Sequence, residues 1–273
     1  MAMVLLALIT LLLLGWLLGQ PYWRRWHRQR LLKQPFPHSW RQILKRRLPY
    51  FRALPADLQL KLKKLIQLFI AEKDFVGCAG LQIDDEIRVT IAAQACLLLL
   101  GRPNDLYPGL RQILVYPSAF VVPNRQPDAA GVVHDGAGVL LGESWGQGQV
   151  ILSWQDSLKG AADPFDGHNV VIHEFAHQLD QQKGYANGAP ALGVGLDVKR
   201  WSKVFQRAFD RLQQQLNRGQ PGVFDPYAAT NPAEFFAVAS EVFFEQPHSM
   251  QQQEPELYQQ LQQFYQLNPA LWQ

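Results

Sequence analysis

Two histidines four residues apart, set in an apolar segment, constrain the fold of this 273-residue chain more than any other feature. His173 and His177 form the pattern His-Glu-x-x-His, which follows an apolar run at 170–172 and is ended by Gly184. An α-helix brings residues i and i+4 to one face about one turn apart, so both imidazoles could reach one metal ion at about 2.0–2.1 Å. The alternative is an accidental match on an ordinary core helix. In either case the segment predicts a buried helix.

Glu174 is the acidic member of this pattern and lies directly beside His173. It is too close in sequence to serve as a third ligand on the same helical face, but its carboxylate can point at a water molecule on the metal. Zinc lowers the pKa of such a water to near 7, and a carboxylate can accept its proton during attack on a carbonyl. The pattern therefore predicts Zn²⁺ as the cofactor and Glu174 as the catalytic base.

A catalytic zinc site needs a third protein ligand and an open position. Glu234 is the strongest candidate because it lies two residues after Pro232, at the start of a helix that is otherwise apolar. A carboxylate in such a helix is costly unless it is paired or bound to metal. The alternative is a charge that is simply favoured at a helix N-terminus. Glu241, seven residues on and on the same face, is predicted to support the ligands from behind.

Tyr227 and Asp180 are two further candidates. Tyr227 lies seven residues before Glu234, where its hydroxyl could donate a hydrogen bond to the oxyanion of a tetrahedral intermediate; an ordinary packed turn tyrosine is the alternative. Asp180 follows His177 by about one turn. It either accepts a hydrogen bond from a ligand imidazole or is only a solvated helix residue.

The rest of the chain predicts a helix-rich α+β fold with a small sheet. Apolar periodicity and turn residues predict helices over residues 57–69, 87–100, 169–183, 196–216, 232–244 and 254–265. Strands are predicted over residues 113–122, with a break near Pro117, and over residues 139–141 and 149–154, with a glycine-flanked turn at 142–148 between the last two. The segment 149–154 is a candidate edge strand that could pair with an extended substrate.

The N-terminal segment differs from everything that follows it. Residues 1–20 contain no charged side chain, and residues 2–18 are almost continuously apolar, which just reaches the length that a helix needs to cross a bilayer core. A signal peptide has its positive charge before the apolar stretch, whereas here the arginines follow it. We therefore predict one transmembrane helix over residues 1–20. An apolar helix packed on the protein and a cleaved signal are the alternatives.

Positive charge is concentrated directly after this segment. Residues 21–73 carry 14 Lys and Arg against 2 Asp and Glu, a net charge of +12, whereas residues 74–273 carry 12 against 21, a net charge of −9. Positive flanks stay on the cytoplasmic side, so the sequence predicts a single-pass protein of the inner membrane whose catalytic domain faces the cytoplasm, with the basic flank against lipid. A cytoplasmic location is the alternative, and no nucleic-acid partner is expected.

These features predict three regions: an anchor over residues 1–20, a basic juxtamembrane linker with short helices over residues 21–49, and a zinc metallopeptidase domain over residues 50–273. Cys78 and Cys96 match no metal-binding spacing. We interpret both as reduced core residues, in agreement with a reducing compartment.

Two distant blocks of this sequence resemble the Mlc titration factor A family of zinc peptidases. One is the run Val-Val-Ile-His-Glu-Phe-Ala-His-Gln-Leu-Asp at 170–180, and the other is Tyr-Ala-Ala-Thr-Asn-Pro-Ala-Glu-Phe-Phe-Ala-Val at 227–238. The resemblance covers roughly residues 50–270 and implies a zincin-type fold with His173, His177 and Glu234 as ligands and Glu174 as base. The chain also resembles the catalytic domain of anthrax lethal factor, in which a tyrosine seven residues before the glutamate ligand assists catalysis. That likeness points to Tyr227.

The resemblance implies a peptidase of aminopeptidase-like activity that acts on peptides or proteins. At least one family member also binds a transcriptional repressor of sugar transport, so a regulatory binding protein with secondary proteolysis is the alternative function. A zinc amidase that acts on a non-peptide bond is a third possibility. The enzyme is favoured because a base and an open coordination position serve no purpose in a closed structural site.

Overall fold

A computed structural model of the chain describes residues 2–102, 106–124, 136–140, 142–145, 148–193 and 195–272. Within these residues the first six α-helices are α1 (Ala2–Leu32), α2 (His38–Arg47), α3 (Tyr50–Ala53), α4 (Ala56–Glu72), α5 (Asp85–Leu97) and α6 (Trp154–Ala162). The next five are α7 (Val170–Asp180), α8 (Val198–Asn217), α9 (Pro232–Glu245), α10 (Pro247–Gln253) and α11 (Pro255–Tyr265). Short 3₁₀ turns cover Gln181–Lys183, Pro226–Ala229 and Pro269–Leu271.

The main sheet has four strands in the order β1 (Asp74–Gly77), β2 (Gln112–Tyr116), β6 (Gln149–Ser153) and β5 (Gly142–Trp145). The first three strands are parallel, and β5 runs antiparallel to β6. A separate antiparallel pair consists of β3 (Phe120–Asn124) and β4 (Gly136–Leu140). Parallel strands are normally covered by helices on their faces. Accordingly Ile113, Val115, Val150 and Leu152 are fully buried.

Helix α5 is the centre of the core. Of the eleven residues from Ile87 to Leu97, all except Arg88 are buried, and the helix packs against α2, α4, α6 and α7. It begins at Asp84, whose side chain accepts a hydrogen bond from the backbone N–H of Ile87, as an N-cap residue does. This packing fixes α7, which carries the His-Glu-x-x-His pattern, against the interior of the protein.

The helix-rich α+β class that the sequence predicts is confirmed, and the predicted break near Pro117 separates β2 from β3. Two predictions about the sheet are wrong. Residues 142–145, predicted as part of a turn, form β5, and β6 is an interior strand hydrogen-bonded on both sides. Within the described sheet the edge next to α7 is therefore β5, because β5 has β6 as its single partner. Residues 146–147 of the predicted turn and Leu141 lie outside the described residues.

The predicted linker over residues 21–49 is largely helical, and part of it belongs to the core. Ile43, Leu44 and Leu48 are buried in the central hydrophobic cluster, because α2 turns an apolar face onto α5. Cys96 is a buried free thiol as expected, whereas the free thiol of Cys78 is only half-buried at the end of β1.

Helix α1 runs past the predicted anchor and through Pro21 to Leu32. By its length and composition the segment Met3–Leu32 could cross a membrane, and the apolar stretch is not covered by the rest of the protein. The described large apolar side chains from Met3 to Trp26 are exposed, among them Leu6 at 67% and Leu18 at 69%. Its basic end is fastened to the domain by a bidentate ion pair from Arg28 to Glu72 on α4, with N–O distances of 2.6 and 2.8 Å.

Candidate metal centre

Helix α7 presents the two histidines on one face. The Asn169 side chain caps the helix by accepting a hydrogen bond from the Ile172 N–H at 3.0 Å, and Gly184 follows its last turn with φ of +146°, a conformation that favours glycine. Val171, Ile172 and Phe175 bury the opposite face. The burial pattern therefore turns the imidazoles away from the apolar core.

Helix α9 brings Glu234 to the same point. Asn231 caps this helix with hydrogen bonds from the N–H groups of Ala233 and Glu234, at 2.9 and 3.0 Å, and Pro232 occupies the first helical position, where proline loses no intrahelical hydrogen bond. The cap holds the backbone of Glu234 directly. Because α7 and α9 pack side by side, two residues sixty-one positions apart meet.

Three ligand-type atoms form a nearly equilateral triangle at this junction. The Nε2 atom of His173 lies 3.0 Å from the Glu234 Oε2 atom and 3.2 Å from the Nε2 atom of His177, and the third side measures 3.4 Å. In a tetrahedral zinc site with bonds of about 2.0–2.1 Å, ligand atoms are roughly 3.3 Å apart. Two imidazole nitrogens and a carboxylate oxygen at this spacing fit such a metal ion.

The three groups also perturb one another's charge states. Burial disfavours the charged form of His173, but its hydrogen bonds to Glu234 and Glu241 outweigh burial and raise its pKa well above the usual value. Burial likewise opposes ionisation of Glu234, and the hydrogen bonds from both histidines outweigh it and lower its pKa. A cluster of this kind is strongly polar and suited to a cation.

Glu174 lies beside the triangle, buried to 5% exposure. Burial raises the pKa of its carboxyl to about 7, against the opposing effect of the two histidines. Its Oε2 atom has no hydrogen-bond partner among the described residues. Buried polar atoms are nearly always hydrogen-bonded, so this oxygen is available to a small molecule bound beside the three ligand atoms.

Tyr227 stands over the ligands from the 3₁₀ turn before α9. Its ring centroid is 6.1 Å from that of His173, and its side chain is 53% exposed. Partial burial raises the pKa of its hydroxyl to about 12, with Glu234 and Glu174 contributing. An exposed aromatic side chain next to buried ligands is at the mouth of the site, which does not match a fully packed turn tyrosine.

Behind the ligands, two glutamates of α9 hold the start of α7. Glu241 accepts a hydrogen bond from Nδ1 of His173 at 2.8 Å, which leaves Nε2 facing the triangle, and it also accepts one from the Asn169 backbone N–H. Glu245 accepts a hydrogen bond from the Asn169 side chain at 2.8 Å. Such partners orient an imidazole and fix its tautomer.

Asp180 fits neither of its two predicted descriptions. It is buried, so it is not a solvated residue, and its Oδ2 atom accepts hydrogen bonds from the backbone N–H groups of Asn187 and Gly188 at 2.7 and 2.6 Å. Among the described residues, its other oxygen and the Nδ1 atom of His177 have no hydrogen-bond partner. Asp180 therefore holds the loop after α7 and makes no hydrogen bond to a ligand imidazole.

The structure thus brings together His173, Glu174, His177, Glu234 and Glu241, with Tyr227 above them. Sequence reasoning missed Asn169 and Glu245. A signal for Glu245 existed: its spacing of four from Glu241 puts a further acid on the same face of an apolar helix. Asn169 could be recognised as a helix cap, but not as the residue that joins two helices.

The chain is similar in sequence to proteins of a metallo-peptidase family. The family described as glucose-regulated metallo-peptidase M90 matches residues 23–266. An uncharacterized protein of Synechocystis sp. is 42% identical over 269 residues, covering 97% of this chain and 98% of its own length. Mlc titration factor A of Escherichia fergusonii is 37% identical over 229 residues, covering 82% of this chain and 84% of its own. The protein of the same name from Yersinia pestis is 34% identical over 236 residues, covering 85% of each.

Proposed function

The chain belongs to the glucose-regulated metallo-peptidase M90 family, and from that premise we propose that it is a zinc-dependent peptidase with His173, His177 and Glu234 as ligands. The observation that carries the proposal is the triangle of ligand atoms with sides of 3.0, 3.2 and 3.4 Å. Three protein ligands leave a fourth tetrahedral position open, as catalysis requires. A zincin-type fold is part of this proposal.

Glu174, Tyr227 and Glu241 have different roles in hydrolysis. A bound Zn²⁺ would polarise the scissile carbonyl and lower the pKa of the attacking water. Glu174 accepts the proton of that water at its free Oε2 atom and passes it to the leaving amine. The hydroxyl of Tyr227 donates a hydrogen bond to the developing oxyanion. Its pKa of about 12 keeps that hydroxyl protonated at neutral pH. Glu241 keeps the ring of His173 oriented.

An extended substrate pairs with β5. That strand is at the edge of the described sheet, packs against α7, and has one side of its backbone without a strand partner. A sheet edge offers N–H and C=O groups to an incoming peptide. This assignment replaces the interior strand β6, whose two sides are already paired.

The protein is anchored in the inner membrane by the first part of α1, with the catalytic domain in the cytoplasm. The exposed apolar surface over Met3–Leu32 supports the anchor, and the net charge of +12 over residues 21–73 supports the orientation. The anchor spans residues 1–20, and α2 belongs to the peptidase domain together with residues 50–273, because Ile43 and Leu44 pack in the core of that domain.

The test of the enzyme is a Glu174→Gln variant of the full chain in detergent. It should bind one equivalent of zinc and lose at least about 100-fold in peptide hydrolysis, because general-base catalysis contributes roughly 10²–10⁴-fold. Mass-spectrometric profiling of a peptide library, with and without a chelator, measures the cleavage. Glu256→Gln, an exposed glutamate of α11, is the matched control. Undiminished cleavage by Glu174→Gln rejects the assigned base.

A second function is favoured by the names of the relatives. Mlc titration factor A is named for an action on a protein regulator, so a binding role for this chain is the competing proposal. The same variant separates the two. Glu174→Gln leaves the cellular role of a binding protein intact, but it abolishes the role of a protease.

A further inference from the structure

A cleft of about 760 Å³ lies outside the metal centre, where the basic end of α1 meets the domain. One wall is the stretch of α1 from Pro21 to Arg28, and the other includes the end of α4, the start of β1 and the segment before β2. The volume is in the range of small-molecule binding sites, roughly 300–1,000 Å³.

The lining of this cleft is strongly positive. Arg24, Arg25 and Arg111 line it, and none of the three forms an ion pair with another residue in the described part of the chain. Its acidic side chains are Glu72, which already accepts two hydrogen bonds from Arg28, and Asp74. The cleft is therefore lined by three guanidinium groups without an ion-pair partner in the described part of the chain, two from α1 and one from the segment before β2.

The cleft lies along α1 just beyond the depth of the lipid headgroups, within reach of long basic side chains that extend back toward them. A helix rises 1.5 Å per residue, so Arg24 lies about 9 Å beyond Leu18, the last residue of the apolar stretch. The headgroup layer on each side of a bilayer is roughly 5–8 Å thick. Trp16, Trp23 and Trp26 are exposed around this level, as aromatic side chains are at membrane interfaces.

We propose that this cleft binds the phosphate group of an anionic membrane lipid and so docks the catalytic domain against the bilayer surface. Arginine forms bidentate, charge-assisted hydrogen bonds with phosphate. Arg24 and Arg25 come from the anchor helix, whereas Arg111 comes from the domain, so a phosphate held between them links the two. The inference rests on the proposed membrane anchoring.

The test is native mass spectrometry of the full chain in detergent, titrated with phosphatidylglycerol or with phosphatidylcholine. Wild-type protein should retain one phosphatidylglycerol at a concentration several-fold lower than it needs for phosphatidylcholine. Arg111→Gln should weaken this retention about fivefold, the effect of one basic residue at an anionic surface. Arg24→Gln combined with Arg25→Gln should weaken it further.

Arg41→Gln is the matched control, because Arg41 is an exposed arginine of α2 outside the cleft. An equal loss in Arg41→Gln, or no loss in Arg111→Gln, shows that only the general basic charge attracts lipid and overturns the site. In a further titration, inorganic phosphate is added to the complex of wild-type protein with phosphatidylglycerol. If phosphate displaces the lipid at a concentration equal to that of the lipid, the cleft is a site for free phosphate and the lipid proposal is wrong. Failure of the membrane anchor can be told apart from failure of the lipid site. If residues 1–20 do not anchor the protein, alkaline extraction releases it from phosphatidylcholine vesicles.

Discussion

Three glutamates on one face of α9, of which Glu234 is half-buried and Glu241 and Glu245 are buried, have different partners. Glu234 meets both imidazoles, and its pKa is lowered. Glu241 is bound to His173 and to the backbone N–H of Asn169. Glu245 accepts a hydrogen bond from the Asn169 side chain, and burial raises its pKa well above the usual value. A buried charge is costly unless it is paired, so the carboxyl whose pKa is lowered is the one that meets both imidazoles.

Replacing Glu245 with glutamine should make stability less sensitive to pH. Because the folded protein holds the proton of Glu245 more tightly than the unfolded chain does, this stabilising contribution is complete below about pH 4.5 and is lost as the pH rises through the folded pKa. Glu245→Gln keeps an acceptor for Asn169 and carries no charge. Relative to wild type, its free energy of unfolding should therefore improve by roughly 1 kcal/mol or more between pH 5 and pH 8.

Urea unfolding of both proteins at the two pH values, with the same metal content, measures this difference. Glu256→Gln should show no comparable gain, because that side chain is exposed. A Glu245→Gln protein that falls further behind wild type at pH 8 than at pH 5 contradicts the burial argument and indicates that the ionised carboxylate is stabilising.

At the scale of elements, α7 and α9 are joined at both ends of the metal site. At one end, Asn169 bonds to Glu241 and Glu245. At the other, Asp180 holds the Asn187–Gly188 backbone, and Gly188 lies against Pro232 at the start of α9. A Cβ atom built on Gly188 would come 2.4 Å from the Pro232 carbonyl oxygen. The loop after α7 thus sets the position of the helix start that carries Glu234.

Gly188→Ala should therefore weaken metal binding without touching a ligand. The added methyl group must push the loop away from Pro232, and the φ of +77° at this position strains any residue except glycine. We expect a loss of about 1–3 kcal/mol in unfolding free energy and about tenfold or more in zinc affinity. Gly193→Ala, in the same loop with nothing within 4 Å of the added atom, is the control.

Competition with a chromophoric chelator measures the two affinities. If Gly188→Ala binds zinc as tightly as Gly193→Ala, the loop does not position Glu234. A loss of stability without a loss of zinc affinity leads to the same conclusion, since strain alone would then account for the change.

Local signals made much of this site readable from the sequence. The His-Glu-x-x-His spacing, the Asn231 cap and Pro232 each act within a few residues, so the ends of α7 and α9 could be predicted closely. Strand β5 could not, because its sequence Gly-Glu-Ser-Trp has no alternating apolar pattern and its strand form depends on pairing with β6. The burial of α2 was missed because prolines flank a basic segment whose few apolar residues meet α5 only in the folded protein.

At the scale of the whole molecule, charge and apolar surface are divided along the chain. The uncharged segment comes first, the net charge of +12 follows over residues 21–73, and the remainder has a net charge of −9. An acidic catalytic domain close to an anionic bilayer would be repelled by it. The basic region between them, which includes the end of α1, α2 and α4, offsets that repulsion at the surface.

This division predicts one orientation in the membrane. Positive residues next to a transmembrane helix stay in the cytoplasm, so residues 50–273 should resist added protease in intact spheroplasts and be digested once the membrane is opened with detergent.

Substituting Ala2→Lys, Met3→Lys and Val4→Lys places three positive charges before the apolar stretch and opposes the natural bias. In that variant a fraction of the chains should become sensitive to protease in intact spheroplasts. A wild-type domain that is digested without detergent would reverse the proposed orientation, and a chain that washes off the membrane with carbonate would remove the anchor altogether.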